Sequence, residues 1–326
     1  MIITPSNKVD NHIEVISSNS KLLNDIWAFF STKITDTISK LPEYVIEVQL
    51  WEHKTTKLDM SKWENIKTYF DYETILLESK KWILKILFMD NILLIKNGNK
   101  IDLTVQEYHS KSEVLIQHIV RSAVEKILIA DWYWILHWWS FELNNEWYII
   151  LWEKWDWKTT ILSQALYQKN ASFISNDRVF FKQIEDWKIH LINREQHIRV
   201  WEKTALDIPI LKQYIKKDTV QKDDNWKFYI NDLPYLIWAS PKNETLANHV
   251  VLPNFTKEKN FFDFTPVEML NQSKIVDAKG FQLYNTLFAH WNANNYLHWD
   301  QQKHWFNPRI HKWDWVESID DLISNL

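Results

Sequence analysis

Leu151-Trp-Glu-Lys-Trp-Asp-Trp-Lys-Thr-Thr-Ile-Leu-Ser-Gln-Ala-Leu166 places three tryptophans just ahead of a Lys-Thr-Thr and an apolar run of helical period. Indoles make little physical sense there. With glycine at Trp152, Trp155 and Trp157 the stretch becomes Gly-Glu-Lys-Gly-Asp-Gly-Lys-Thr-Thr. That is the phosphate-binding loop G-x-x-x-x-G-K-[ST], with a further glycine inside it. Backbone N–H groups of such a loop cradle phosphate oxygens, so glycine is needed for positive φ and close backbone approach. The nucleotide-binding residues expected from this reading are Trp152, Glu153, Lys154, Trp155, Asp156, Trp157, Lys158, Thr159 and Thr160. Lys158 reaches the outer phosphates and Thr159 ligates magnesium.

The substitution is systematic. The chain has 2 Gly and 21 Trp, together 23 of 326 residues, which is about the 7% glycine of ordinary proteins. Asp186-Trp187-Lys188 and Asn225-Trp226-Lys227 each lie between strand-like runs, where Asp-Gly and Asn-Gly are the strongest hairpin signals. Trp138-Trp139, Trp132-Tyr133-Trp134 and Trp313-Asp314-Trp315 are odd as aromatic clusters and ordinary as glycine-rich turns. The pattern fits a genetic code reassignment, with UGA codons that the source reads as glycine rendered here as tryptophan. The alternative is a genuinely tryptophan-rich chain with a sugar-binding surface. On the first reading most, but not all, of the tryptophans stand for glycine.

A chain of 326 residues is long enough for a full core, and two domains is the natural expectation. Lys+Arg number 38 and Asp+Glu 42, for a net charge of −4 without long blocks of either sign. That balance argues against nucleic acid or an anionic membrane as the main partner. The chain has no cysteine, which excludes disulfides and thiolate metal sites and fits a reducing compartment. The start, Met-Ile-Ile-Thr-Pro-Ser-Asn-Lys, shows no signal peptide, and the apolar run Ile83 to Ile95 is broken by Lys85, Asp90 and Asn91. A cytoplasmic protein is expected.

Residues 1–110 read as a smaller N-terminal α/β domain. His12 to Ile16 alternates as a strand, and Ser20 to Ile38 has a helical period with Leu22, Leu23, Ile26, Phe29, Phe30 and Ile34 on one stripe. Strands are expected at Tyr44 to Leu50, Tyr72 to Glu78, Ile83 to Met89, Ile92 to Lys96 and Lys100 to Val105, the last two joined through Asn97-Gly98. Ser112 to Ala130 is the next helix. His118 lies on or near its apolar stripe and is expected to be a hydrogen-bonded core residue and not a ligand. A strand Ser140 to Leu143 turns at residues 144–147 into the apolar strand Tyr148 to Leu151, which enters the loop. Lys158 to Gln168 follows as a helix whose N-terminus faces the phosphates. The strand Ala171 to Ile174 delivers Ser175-Asn176-Asp177-Arg178, and Arg178 to Ile184 with Lys188 to Asn193 forms a hairpin.

From Ser112 onward the order of motifs resembles the kinase domain of the HPr kinase/phosphorylase family. The motifs are His137 at a strand start, fifteen positions before residue 152, then the hairpin into the loop, then Ser175-Asn176-Asp177-Arg178-Val179. His249-Val-Val-Leu-Pro253 resembles an apolar strand ending in proline that many relatives carry. The resemblance implies an α/β fold, with residues 111–326 forming an HPr-kinase-like P-loop domain. It implies ATP and Mg2+ as cofactors, Lys158, Asp177 and His137 as catalytic residues, and Thr159 with Asp177 at the metal. In the family one Asp of an Asp-Asp pair is the base toward the accepting hydroxyl, supported by the histidine. Here Asn176 stands at the first position and cannot accept a proton at neutral pH. Either Asp177 takes that role or the chemistry is altered. The segment that shapes HPr recognition is not evident in Arg194 to Leu206, so the acceptor, a protein or small-molecule hydroxyl, is left open, as is oligomerisation.

Further on, Thr204 to Lys217 is a helix candidate. Arg194 and Arg199 precede it, each either a phosphate contact or an exposed salt-bridging residue. Pro266 to Asn271, Phe281 to Ala289 and Val316 to Leu326 also read as helical. His290, His298, His304 and His311 lack the spacing of a zinc site. The expected function is therefore Mg-ATP-dependent phosphoryl transfer by a kinase. The alternatives are a non-catalytic nucleotide-binding regulatory module and a P-loop ATPase, both favoured by Asn176.

Overall fold

The computed structural model of the chain describes residues 1–6, 9–30, 33–35, 40–50, 64–69, 72–79, 83–88, 92–106, 108–136, 139–143, 146–150, 167, 172–175, 179–185, 188–193, 198–216, 220, 222, 226–230, 233–236, 242–247, 249–252 and 309–312. They form a mixed α/β protein dominated by sheet, with few helices. It divides into two compact units between Trp132 and Tyr133. No helix among the described residues is long and apolar enough to cross a membrane. The expected helices at 158–168, 266–271, 281–289 and 316–326 lie outside the described residues, Tyr167 excepted, which is helical.

The first unit is built on a nine-stranded mixed sheet. Its strands are β1 (Ile2–Ile3), β2 (Ile13–Ser17), β3 (Ile34–Thr35), β4 (Tyr44–Leu50), β5 (Glu64–Tyr69), β6 (Tyr72–Ser79), β7 (Ile83–Phe88), β8 (Ile92–Asn97) and β9 (Lys100–Val105). They are ordered β3-β1-β2-β4-β9-β8-β7-β6-β5. The β2–β4 and β4–β9 pairs are parallel, and β5 to β9 form an antiparallel meander. Alternation decides the buried face: Tyr44, Ile46 and Val48 of β4 and Ile101, Leu103 and Val105 of β9 are buried. On the opposite face Lys100 bridges Glu47 and Asp102 at 3.1 and 2.9 Å. The β8–β9 turn differs from expectation by one residue. Asn97 pairs with Lys100, so Gly98 and Asn99 are the central residues, and only Gly98 takes positive φ (58°). Positive φ at the first central residue alone is the type II′ pattern.

Among the described residues two helices complete this unit. α1 (Ser20–Phe29) is capped by Asn19, whose side chain accepts from the Leu22 N–H at 2.9 Å, and it buries Leu22 and Ile26. The expected extension to Ile38 does not form. The chain leaves the helix at Phe30, and Ile34–Thr35 pairs with β1, consistent with the β-branched residues that follow Phe30. α2 (Ser110–Ala130) begins two residues earlier than expected because His109 serves as N-cap, its Nδ1 accepting from Lys111 and Ser112. Histidine is not among the common cap residues, so the sequence carries no such signal. His118 lies 2.9 Å from an Arg121 guanidinium nitrogen, as expected of a hydrogen-bonded residue, but it is half-buried and not part of the core. Tyr108 donates to Asp25 at 2.7 Å, linking the entry to α2 with α1. Nearby, burial and then the Asp25 carboxylate push the Glu113 carboxyl above its ordinary range.

The second unit holds a five-stranded sheet, a four-stranded sheet and a two-stranded ribbon. The five-stranded sheet contains β11 (Trp139–Leu143), β12 (Glu146–Ile150), β13 (Ser172–Ser175), β19 (His249–Leu252) and β20 (Arg309–Lys312), ordered β13-β11-β12-β19-β20. The four-stranded sheet contains β10 (Trp134–Leu136), β14 (Val179–Glu185), β15 (Lys188–Asn193) and β18 (Glu244–Ala247), in that order. β16 (Arg199–Trp201) and β17 (Lys227–Tyr229) form the ribbon. The turn expected over residues 144–147 is shorter, since Leu143 pairs with Glu146 and Trp147 is a strand residue opposite Glu142. The single helix expected over Thr204 to Lys217 is two, α3 (Glu202–Asp207) and α4 (Pro209–Tyr214). Pro209 forces Ile208 into an extended conformation (φ −100°, ψ 113°), which breaks the run.

Candidate functional site

The register of the five-stranded sheet decides where its loops leave. β12, β19 and β20 are mutually parallel, and β13 points the same way because both it and β12 run antiparallel to β11. One transverse row crosses the sheet: Ser175, Ser140, Ile149, Val250 and Ile310. The carboxyl ends of four strands, at Ile150, Ser175, Leu252 and Lys312, therefore share one edge with the amino end of β11. In open α/β sheets ligands bind in the crevice outside the carboxyl ends of the strands.

All three sequence motifs join the sheet along this edge. Ile150 pairs with Trp139, and the chain continues from Ile150 into residues 151–160. Ser175 pairs with Ser140, and the chain continues from Ser175 into residues 176–178. A second pairing, Leu136 with Val179, closes the other side. Leu136 and Ser140 are four positions apart, as are Ser175 and Val179. The link from β10 to β11 and the link from β13 to β14 are thus flanked by the same two residue pairs, Leu136 with Val179 and Ser140 with Ser175. One link contains His137; the other contains Asn176, Asp177 and Arg178.

The side chains of those motifs are a separate matter. His137, Asp177 and the loop residues Trp152, Glu153, Lys154, Trp155, Asp156, Trp157, Lys158, Thr159 and Thr160 lie outside the described residues, as do Asn176, Arg178 and Arg194. Arg199 is described, as the exposed first residue of β16. Among the described residues no group of three or more His, Asp or Glu side chains could hold a metal ion. The histidines at 290, 298 and 304 lie outside them, and His311 belongs to β20.

Two features of this unit carry no sequence signal. Ser140 and Ser175 are both buried, and the register shifts between Ser140 and Phe141, a bulge of the kind found beside active sites. Among the described residues the Ser140 hydroxyl has no hydrogen-bond partner. The other is a buried polar pair in the four-stranded sheet, Tyr133 and His190, with Tyr133 Oη 2.5 Å from His190 Nδ1. Tyr133 sits between two tryptophans that attract attention as glycine positions, and a histidine in a strand pattern reads as an outward polar residue. Only the pairing of β10, β14 and β15 brings them together.

The packing around the edge is tied by local contacts. Lys242 Nζ lies 2.5 Å from Glu142 on β11, and the Lys242 N–H donates to Phe173 O on β13 at 2.9 Å. The Asn193 N–H donates to Asn243 O at 2.7 Å, so the entry to β18 holds to both sheets. Phe141 and Tyr148 stack across β11 and β12 with ring centroids 5.6 Å apart. No family model matches the sequence, and no curated protein matches it.

Proposed function

We propose that the second unit binds a magnesium nucleotide at the carboxyl edge of its five-stranded sheet and transfers the terminal phosphoryl group to an acceptor hydroxyl, as an HPr-kinase-like P-loop kinase. The observation that carries this reading is the shared edge: the carboxyl ends of β12 and β13, which lead to residues 151–160 and 176–178, flank the amino end of β11, which residues 137–138 precede in the chain.

The residues fit the group only with glycine at 152, 155 and 157, because indole side chains would fill the phosphate cradle. On that footing loop amides and Lys158 would hold the β and γ phosphates, and Thr159 with Asp177 would hold magnesium. The metal and nucleotide supply the phosphoryl donor and part of its charge neutralisation. Asp177 would take the proton of the acceptor hydroxyl, and His137 would orient or support that carboxylate. Most of the rate enhancement in this chemistry is positioning and charge stabilisation. Asn176 supports a second reading, nucleotide binding without transfer, since an amide cannot act as the base.

The test is calorimetry and phosphate-transfer assay on the full chain with Trp152, Trp155 and Trp157 replaced by glycine. Mg-ATP binding is expected there, with loss of both binding and turnover in Lys158→Ala. A glycine-restored chain that binds no nucleotide would falsify the reading.

A further inference from the structure

We propose that Tyr133 and His190 form a buried hydrogen-bonded latch, with the Glu244 carboxylate beside the far side of the imidazole, that sets the register of β10 and so the point from which the chain continues to His137, an inference that rests on the kinase reading for its functional arm only. Tyr133 lies immediately before β10 and is 4% exposed; His190, in the middle of β15, is 1% exposed. β14 lies between these two strands. The tyrosine side chain crosses it, bringing Oη 2.5 Å from His190 Nδ1 with the rings edge-on at 64°. His190 Nε2 lies 3.5 Å from a Glu244 oxygen on β18, and Lys182 Nζ sits 5.2 Å from the Tyr133 ring centre. The row thus spans all four strands of this sheet.

Donor and acceptor accounting orders the protons. A phenol holds its proton at neutral pH and a carboxylate only accepts. Tyr133 O–H therefore donates to Nδ1, which leaves the proton of the neutral imidazole on Nε2, the side on which the Glu244 carboxylate lies 3.5 Å away. This assignment follows from the partners on either side of the ring.

The latch matters because β10 is only Trp134–Leu136 and, among the described residues, is paired on one side, to β14. Three ladder residues specify register weakly, and a slip of one residue turns every side chain to the opposite face. His137 follows directly on Leu136 in the sequence, so the slip would change the residue at which the chain leaves β10. A buried tie from Tyr133 to a strand two places away removes that freedom. Tyr133 and His190 act through β10 and are positioning residues.

The test uses the full chain with glycine at 152, 155 and 157. Long-range 15N–1H correlation on labelled histidine should show His190 with a bare Nδ1 and a protonated Nε2, and Tyr133→Phe should move the Nδ1 shift. Hydrogen exchange in the β10–β14 ladder should rise about three- to tenfold in Tyr133→Phe, the loss of one neutral hydrogen bond. Phosphoryl turnover should fall by a comparable factor while Mg-ATP affinity stays unchanged. His190→Gln can accept from Tyr133 and donate to Glu244, so it should retain more ladder protection and turnover than His190→Leu. A protonated Nδ1 in the parent, or unchanged exchange in Tyr133→Phe, overturns the latch. Unaltered turnover in Tyr133→Phe overturns its positioning role. A parent chain without phosphoryl transfer overturns the kinase reading and with it the positioning of His137, while resonance and exchange still decide the latch separately.

Discussion

Trp132 and Trp226 share a backbone conformation that no other described non-glycine residue adopts, with φ of 67° and 62°. Gly98, at 58°, is the remaining described residue in this left-handed region. Trp132 follows Asp131, the C-cap of α2, and its N–H donates to Ile129 O at 3.1 Å. That is the position after a helix where glycine is most common. Trp226 leads into β17, and its carbonyl accepts from Glu202 N–H at 3.2 Å. By contrast Trp27 lies inside α1, 55% exposed, in ordinary helical conformation.

Backbone geometry therefore sorts the tryptophans. Left-handed φ costs a residue with Cβ about 1–2 kcal/mol, against about 0.5–1 kcal/mol for the extra freedom glycine loses on folding. Trp132→Gly is expected to stabilise the chain by about 0.5–1 kcal/mol in urea unfolding. Trp226 also has Lys222 Nζ 4.1 Å from its ring centre. Losing that contact, about 0.5–1 kcal/mol at an exposed site, should leave Trp226→Gly close to neutral. Trp27→Gly should destabilise by about 1 kcal/mol, the cost of glycine in a helix. Peptide masses of the source protein should show glycine at 132, 152, 155, 157 and 226, and tryptophan at 152, 155 and 157 there would end the recoding account.

At the proposed site the informative residue is Asp177. In the glycine-restored chain Asp177→Asn is expected to leave Mg-ATP affinity within about a few-fold while turnover falls by about 10² or more, as for a positioned acid–base group. Loss of affinity together with rate, partly recovered at high magnesium, would make it chiefly a metal ligand. Asn176→Asp should raise turnover if a missing base limits the reaction. Transfer at the parent rate by Asp177→Asn would point to a switch or ATPase instead.

Ser140 offers a stability test independent of any ligand. Ser140 is fully buried, and its hydroxyl has no hydrogen-bond partner among the described residues. A buried unmet polar group costs about 1–3 kcal/mol, and deleting it removes that cost. Ser140→Ala should therefore raise stability by about 1 kcal/mol in denaturant titration of the nucleotide-free chain. A destabilised variant would show that the hydroxyl has a partner in solution.

Glu113 gives a pH dependence of known sign. Its folded carboxyl titrates above the ordinary value because burial, then Asp25, disfavours the charged form. Between the unfolded and folded pKa values the native state holds more protons than the unfolded chain, so stability falls as pH rises through that window. Glu113→Gln should raise the stability of α2 at pH 7 and have little effect near pH 4, read by hydrogen exchange across α2. An equal gain at both pH values would assign the effect to packing.

Much of the local structure was legible because it depends on neighbours in the chain. The 3.6-residue period of Leu115, Ile119, Ala123 and Ile127 marked α2, and alternation marked β4, β8 and β9 near their observed limits. Failures came where a local signal was overruled. Apolar spacing continued past Phe30, yet the pairing of Ile34–Thr35 with β1 won. At α3 and α4 the proline was visible, but the period on either side of Pro209 masked its effect.

The sequence by itself determined the motifs, their order and the conflict between tryptophan and phosphate-loop chemistry, because those are matters of residue type and spacing. Which strands are neighbours was decided only by the tertiary structure. Pairing between distant segments depends on register and on which faces can be buried together, and composition carries neither. The shared edge of β11, β12 and β13 follows from Trp139 meeting Ile150 and Ser140 meeting Ser175. The contact between Tyr133 and His190, fifty-seven positions apart, arises in the same way from two antiparallel pairings through β14.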